Sequence, residues 1–117
     1  MKHQACSAAV ALRYTTLSLL LILPLAAAAG DPAKGKEKSA TCQACHGEEG
    51  RTSIAPSYPI LAGQYASYLE QALQDYRSGA RNNAVMAGMA ANLSDRDIAD
   101  LAAWYARREG LKDLSIQ

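Results

Sequence analysis

The sequence predicts an all-α fold of about four short helices joined by loops. Three observations carry that expectation. Apolar residues recur at helical spacing in the second half of the chain, no stretch alternates apolar and polar as a half-buried strand does, and capping residues stand before the periodic segments. The chain has 117 residues, half of them apolar, with 12 Lys and Arg against 11 Asp and Glu. That leaves room for one domain. The balance of charge gives no support to a nucleic-acid surface.

Residues 1–29 read as a secretory leader, and residues 30–117 as the folded domain. Lys2, His3 and Arg13 make a loosely basic start, an apolar run (TTLSLLLILPL) follows, and Ala26-Ala27-Ala28-Ala29-Gly30 supplies a small-residue cleavage site. Ala-x-Ala fits cleavage after Ala28 or after Ala29. The competing reading is a retained membrane anchor. A span needs about 20 apolar residues, and this run reaches that length only with the alanines counted. Cleavage removes Cys6, His3 and Met1, so the mature chain keeps Cys42 and Cys45, the single histidine His46, and Met86 and Met89. It also removes Lys2 and Arg13, taking Lys and Arg from 12 to 10 against 11 acidic groups. A mature chain this short is small for an apolar core of its own, and such domains often need a disulfide, a metal or another staple.

Asp31-Pro32 is a helix start, with Asp as N-cap and Pro at the first helical position. The first helix is expected over residues 32 to about 43. Gly35 inside it costs about 1 kcal/mol against Ala, which suggests a close approach by another element. Residues 47–64 are rich in Gly, Pro and Ser and read as a loop that is functional or wrapped around something. Residues 65–78 form the clearest helix, because Tyr65, Tyr68, Leu69, Ala72, Leu73 and Tyr76 share one face. Gly79 follows as its left-handed cap. Asn83 or a neighbour caps a short turn over residues 85–91. Ser94, with Asp97 three residues on, opens the last helix as a capping box. Its buried stripe is Ile98, Leu101, Ala102 and Tyr105, with Trp104 beside it; Arg107 and Arg108 occupy its last turn and Gly110 ends it.

Chemistry concentrates in Cys42-Gln43-Ala44-Cys45-His46, the C-x-x-C-H signature of c-type haem attachment. Two thiols spaced by two residues can each form a thioether with one vinyl group of a haem, and the next residue, His46, then becomes the proximal iron ligand. Two rivals fall short. A thioredoxin-like redox pair expects a βαβ setting, and structural zinc wants four Cys or His ligands where the mature chain holds three.

Beyond the pentapeptide, the chain from residue 31 to about 110 resembles the class I monohaem cytochromes c, of the small bacterial periplasmic type whose dihaem relatives are two such domains in tandem. The residues that carry the resemblance are Cys42-x-x-Cys45-His46-Gly47, Ala55-Pro56-x-x-Pro59-x-Leu61-Ala62-Gly63-Gln64, Met86-x-x-Met89-Ala90, and the run from Leu93 through Trp104-Tyr105. The resemblance implies a cytochrome c fold wrapped around one covalent haem c, with a Met thioether opposite His46. Met86, eight residues before Ser94, stands where that ligand belongs, with Met89 one turn away as the alternative. His/Met ligation favours reduced iron and raises the potential, and it leaves little room for a substrate. The resemblance also implies that the Pro56 carbonyl accepts the Nδ1 proton of His46, and that Gly35 is where the first helix crosses the last, near Trp104 and Tyr105.

The expected function is therefore periplasmic electron transfer between redox protein partners, such as a membrane oxidase or reductase or a periplasmic dehydrogenase. No catalytic base or nucleophile is required. The alternative is a haem c subunit of a larger oxidoreductase, for example one acting on a sulfur compound. A membrane enters only if the leader is retained.

Overall fold

The computed structural model describes residues 29–111. The leader expected over residues 1–29 lies outside the described residues save for Ala29, as do Cys6 and His3. Five helices follow in order: α1 (Pro32–Lys38), α2 (Ala40–His46), α3 (Ala66–Ser78), α4 (Ala84–Ala90) and α5 (Asp95–Ala106), with one 3-10 turn at Glu48–Gly50 after α2. No strand occurs among the described residues.

The expected first helix is two helices. Asp31 caps α1 as anticipated, its carboxylate accepting from Ala33 N at 2.9 Å, and Pro32 takes the first turn. The break comes at Ser39, which is fully buried. Its hydroxyl donates to the Lys36 carbonyl at 2.7 Å and accepts from the Gln43 amide at 3.0 Å. A serine hydroxyl that competes for the carbonyl three residues back bends a helix. This bend ends α1 and re-aims α2.

Helix α5 is the spine. Both α1 and α3 pack against it, and α4 packs on α3. The core is Leu69 from α3 with Leu101, Ala102, Trp104 and Tyr105 from α5, and Cys42, Leu61, Ala66, Leu73 and Leu93 lie partly buried against it. The crossing of α1 over α5 is as tight as Gly35 suggested. A Cβ there would sit 2.0 Å from the Asp100 carbonyl oxygen and 2.8 Å from Trp104 Cβ.

Helix α3 runs from Ala66 with Tyr65 as its N-cap, and Gly79 closes it at φ 82°. Its expected apolar face is only partly covered. Leu69 is buried, whereas Tyr65 is 67 % and Tyr68 50 % exposed. The stripe is wider than the surface α5 offers, and tyrosines tolerate its rim because the hydroxyl can face outward; that of Tyr68 accepts from Arg81 at 3.3 Å. Asn83 caps α4, accepting from Met86 N at 3.0 Å. The Ser94/Asp97 capping box opens α5. That helix stops at Ala106, so Arg107 is its cap and Arg108 lies beyond it. Gly110 serves a different purpose from ending the helix: a Cβ there would meet the Ala62 carbonyl at 2.2 Å, where Leu111 N donates to the same oxygen at 2.8 Å.

Candidate functional site

Helix α2 carries Cys42, Cys45 and His46 within its last two turns. Cys42 and Cys45 are both partly buried and are not joined as a disulfide. Cys42 leans on the core beside Tyr105 and Ser39. Burial pushes its thiol pKa up, and burial likewise raises the phenol of Tyr105 well above the ordinary range. The Tyr105 hydroxyl is buried beside Cys42 and Ser39, and the buried Trp104 indole N–H has no hydrogen-bond partner among the described residues.

Gly47 ends α2 at φ 80°, a conformation open to glycine, and a Cβ there would lie 1.7 Å from the Thr52 carbonyl oxygen. The chain then doubles back in the long loop, which is pinned throughout. Ile54 N donates to the Cys45 carbonyl, Leu61 N and Ala62 N both donate to the Gly50 carbonyl, and Gly63 N donates to the Tyr105 carbonyl.

His46 is 6 % exposed. Its Nδ1 stands 2.7 Å from the Pro59 carbonyl oxygen, and the Tyr58 ring meets the imidazole edge-on. The expected partner, Pro56, is corrected here. Pro56 occupies the second position of a β-turn closed by Tyr58 N donating to the Ala55 carbonyl at 3.0 Å, the place where a proline is favoured. The turn reverses the chain and delivers Pro59, three residues on, to the ring. Both prolines were visible in the sequence; which carbonyl faces His46 depends on the turn. With Nδ1 donating, Nε2 alone keeps a lone pair for a metal.

Met86 and Met89 share α4. Met86 is partly buried, and Met89 is 43 % exposed. Exposed apolar side chains also lie on the loop after the motif and on α3 and α4: Ile54, Tyr65, Tyr68 and Val85. The buried apolar residues among those described number eight, three of them alanine. A core so meagre beside so much uncovered apolar surface is what a chain presents when a flat apolar group completes it. The donor set, the single available imidazole nitrogen and the uncovered apolar surface all fit a haem.

Over residues 32–106 the chain matches the family model for cytochrome c. The chain belongs to the cytochrome c family. Members of this family bind haem c covalently and transfer electrons, and Cys42, Cys45 and His46 stand in the attachment arrangement. Cytochrome c-554(548) of Halomonas halodenitrificans is 52 % identical over 84 residues, covering 69 % of this chain and 100 % of that relative. The crystal structure of reduced recombinant cytochrome c4 from Pseudomonas stutzeri superposes with a TM-score of 0.66 at 41 % identity, covering 71 % of this chain and 48 % of that one. A thiosulfate dehydrogenase electron acceptor of Thiomonas intermedia is 46 % identical over 70 residues, 60 % of this chain and 32 % of that protein. The chain thus spans the whole of one relative, about half the length of a cytochrome c4 and a third of the electron acceptor. The all-α expectation and the electron-transfer reading both hold for this cytochrome c domain.

Proposed function

We propose that this cytochrome c is a periplasmic electron carrier holding a single haem c through thioethers from Cys42 and Cys45, with His46 Nε2 and the Met86 sulfur as axial ligands. The observation that supports it best is the 2.7 Å contact of His46 Nδ1 with the Pro59 carbonyl. It orients a buried ring, commits one nitrogen to the protein and reserves the other for iron. The bound haem supplies a one-electron iron couple. The chain's own part is to keep the ring nitrogen aimed, present a thioether and exclude water. Met86 is favoured over Met89 because it is the more buried of the two and its backbone is tied to the Asn83 cap. The basic, apolar and small-residue pattern of residues 1–29 supports export, with cleavage leaving residues 30–117 or one residue more. Among the described residues no helix is long and apolar enough to cross a membrane.

Purified exported protein tests the assignment. Its mass should exceed that of the processed polypeptide by one haem, with neither thiol reactive. Met86→Ala should abolish the ferric absorption band of methionine–iron coordination and lower the potential, while Met89→Ala leaves both unchanged. The reverse pattern would transfer the ligand role to Met89.

The likeness to a thiosulfate dehydrogenase electron acceptor supports a second reading, in which this domain takes electrons from a partner oxidoreductase within a complex. Co-purification of the holoprotein with a dehydrogenase from its own periplasm separates that from a freely diffusing carrier.

A further inference from the structure

Asp100, on α5, is the most deeply buried acidic side chain among the described residues, at 1 % exposure. Its Oδ1 accepts the Asp31 backbone N–H at 2.7 Å and pairs with Arg96 Nε at 3.2 Å. Its Oδ2 is buried and has no partner among the described residues. A buried carboxylate oxygen left unpaired is costly, and proteins seldom keep one without a use. The segment entering α1 lies directly on this acid. A Cβ on Gly30 would stand 1.9 Å from the Ala99 carbonyl oxygen and 2.7 Å from Asp100 N, so Gly30 is pressed onto the same turn of α5. The backbone nitrogen of Gly30 is one peptide unit from the Asp31 N–H that already touches Asp100.

We propose that Asp100 is the receptor for the α-ammonium group created when the leader is removed, so that processing itself completes a buried ion pair. The inference rests on the leader reading above and goes beyond it. A leader peptidase adds water across the peptide bond before Ala29 or Gly30. The new carboxylate departs with the leader, and the new amine stays on the mature chain. Such an amine has an ordinary pKa of about 7.7–8.0, so it takes up a proton and carries a positive charge at neutral pH. The intact peptide bond has no charge at that position. The other charged groups facing Asp100 do not serve Oδ2. Arg96 reaches only Oδ1 from a half-exposed position, Lys38 at the end of α1 is engaged with Asp97 at 2.8 Å, and Asp31 is itself an acid.

The experiment uses exported, haem-loaded protein whose mass identifies its first residue. Processed chains beginning at Ala29 and at Gly30 are compared with a chain bearing three uncharged extra residues, which carries its amine away from α5. The extended chain should melt lower by about 4–8 °C, the shift a single lost pair of ordinary strength gives in a domain this size, and this gap should close in an Asp100→Asn background. At pH 7 an amine-specific reagent should label the processed chain roughly tenfold more slowly than the extended one, as expected for an amine whose pKa is raised by about one unit. Whichever processed chain shows the slow amine identifies the residue that seats it. Equal melting and equal labelling would overturn the proposal, as would a gap that survives Asp100→Asn. If Asp100→Asn does not fold, the labelling comparison in the native background decides alone. A first residue other than 29 or 30 would sink the leader reading together with the proposal, whereas correct cleavage with an ordinary amine sinks the role of Asp100 only.

Discussion

His46 and Gly35 show how single atoms set the terms. The proton on His46 Nδ1, held by the carbonyl of Pro59 thirteen residues downstream, leaves one nitrogen to bind metal, and the direction of that nitrogen follows from the turn around Pro56. At Gly35 the missing Cβ lets α1 lie on the Asp100 carbonyl. Gly35→Ala would gain helix propensity of about 1 kcal/mol, yet it would place a carbon 2.0 Å from that oxygen and 2.8 Å from Trp104 Cβ. The clash is with backbone, which cannot swing aside, so the helices must separate. The net loss should be about 1–3 kcal/mol, read from the denaturant midpoint of the holoprotein. A variant as stable as the native protein would show that the crossing tolerates separation.

Between elements, capping and charge pairs do what the thin core leaves undone. Ser94 and Asp97 cap α5 reciprocally, and Asp97 also receives Lys38 from the end of α1 at 2.8 Å. Arg77 of α3 donates to the Leu93 carbonyl at 2.7 Å and pairs with Asp95, fastening α3 to the start of the same helix. Ser94→Ala should cost about 1 kcal/mol in thermal or chemical unfolding. The Lys38 ammonium, followed by the Ser94 hydroxyl and backbone N–H, holds the Asp97 carboxyl well below the usual carboxylate range. The folded state therefore binds a proton there less readily than the unfolded chain does. Its contribution is complete above the unfolded value of about 4 and fades as the pH falls below it. Lys38→Met should flatten the acid limb of the stability profile in melts taken from pH 6 down to pH 3. An unchanged slope would show that the pair is too well solvated to matter.

At the scale of the whole molecule, the described chain buries few large apolar side chains, and Leu69, Ile98, Leu101, Trp104 and Tyr105 among them come from just two helices. Apolar surface on the loop and on α3 and α4 stays uncovered. The group attached at α2 is accordingly part of the core. A Cys42→Ser/Cys45→Ser double variant, exported without covalent haem, should lose cooperative thermal unfolding. A sharp melt would mean that the helices suffice alone. The full chain carries 12 Lys and Arg against 11 acidic groups, and the proposed processing makes that 10 against 11, so long-range steering is weak either way. Electron exchange with a partner should change only slightly between low and physiological ionic strength, measured by stopped flow, and a steep salt dependence would reveal a local charged docking patch.

The class of fold, the attachment pentapeptide, the capped starts of α1, α4 and α5 and the left-handed end of α3 were all legible in the linear chain, because each depends on residues within about four positions of one another. The long-range reading of Gly35 also survived, since a glycine inside a helix already signals a close neighbour. Tertiary structure decided the rest. The break at Ser39 depends on a fully buried hydroxyl, the outward-facing Tyr65 and Tyr68 on how little surface α5 offers, and the choice of Pro59 over Pro56 on the path of a folded loop. The unpaired oxygen of Asp100 was invisible for the same reason: its neighbour Asp31 is 69 positions away, and no local pattern reports who faces whom across a core.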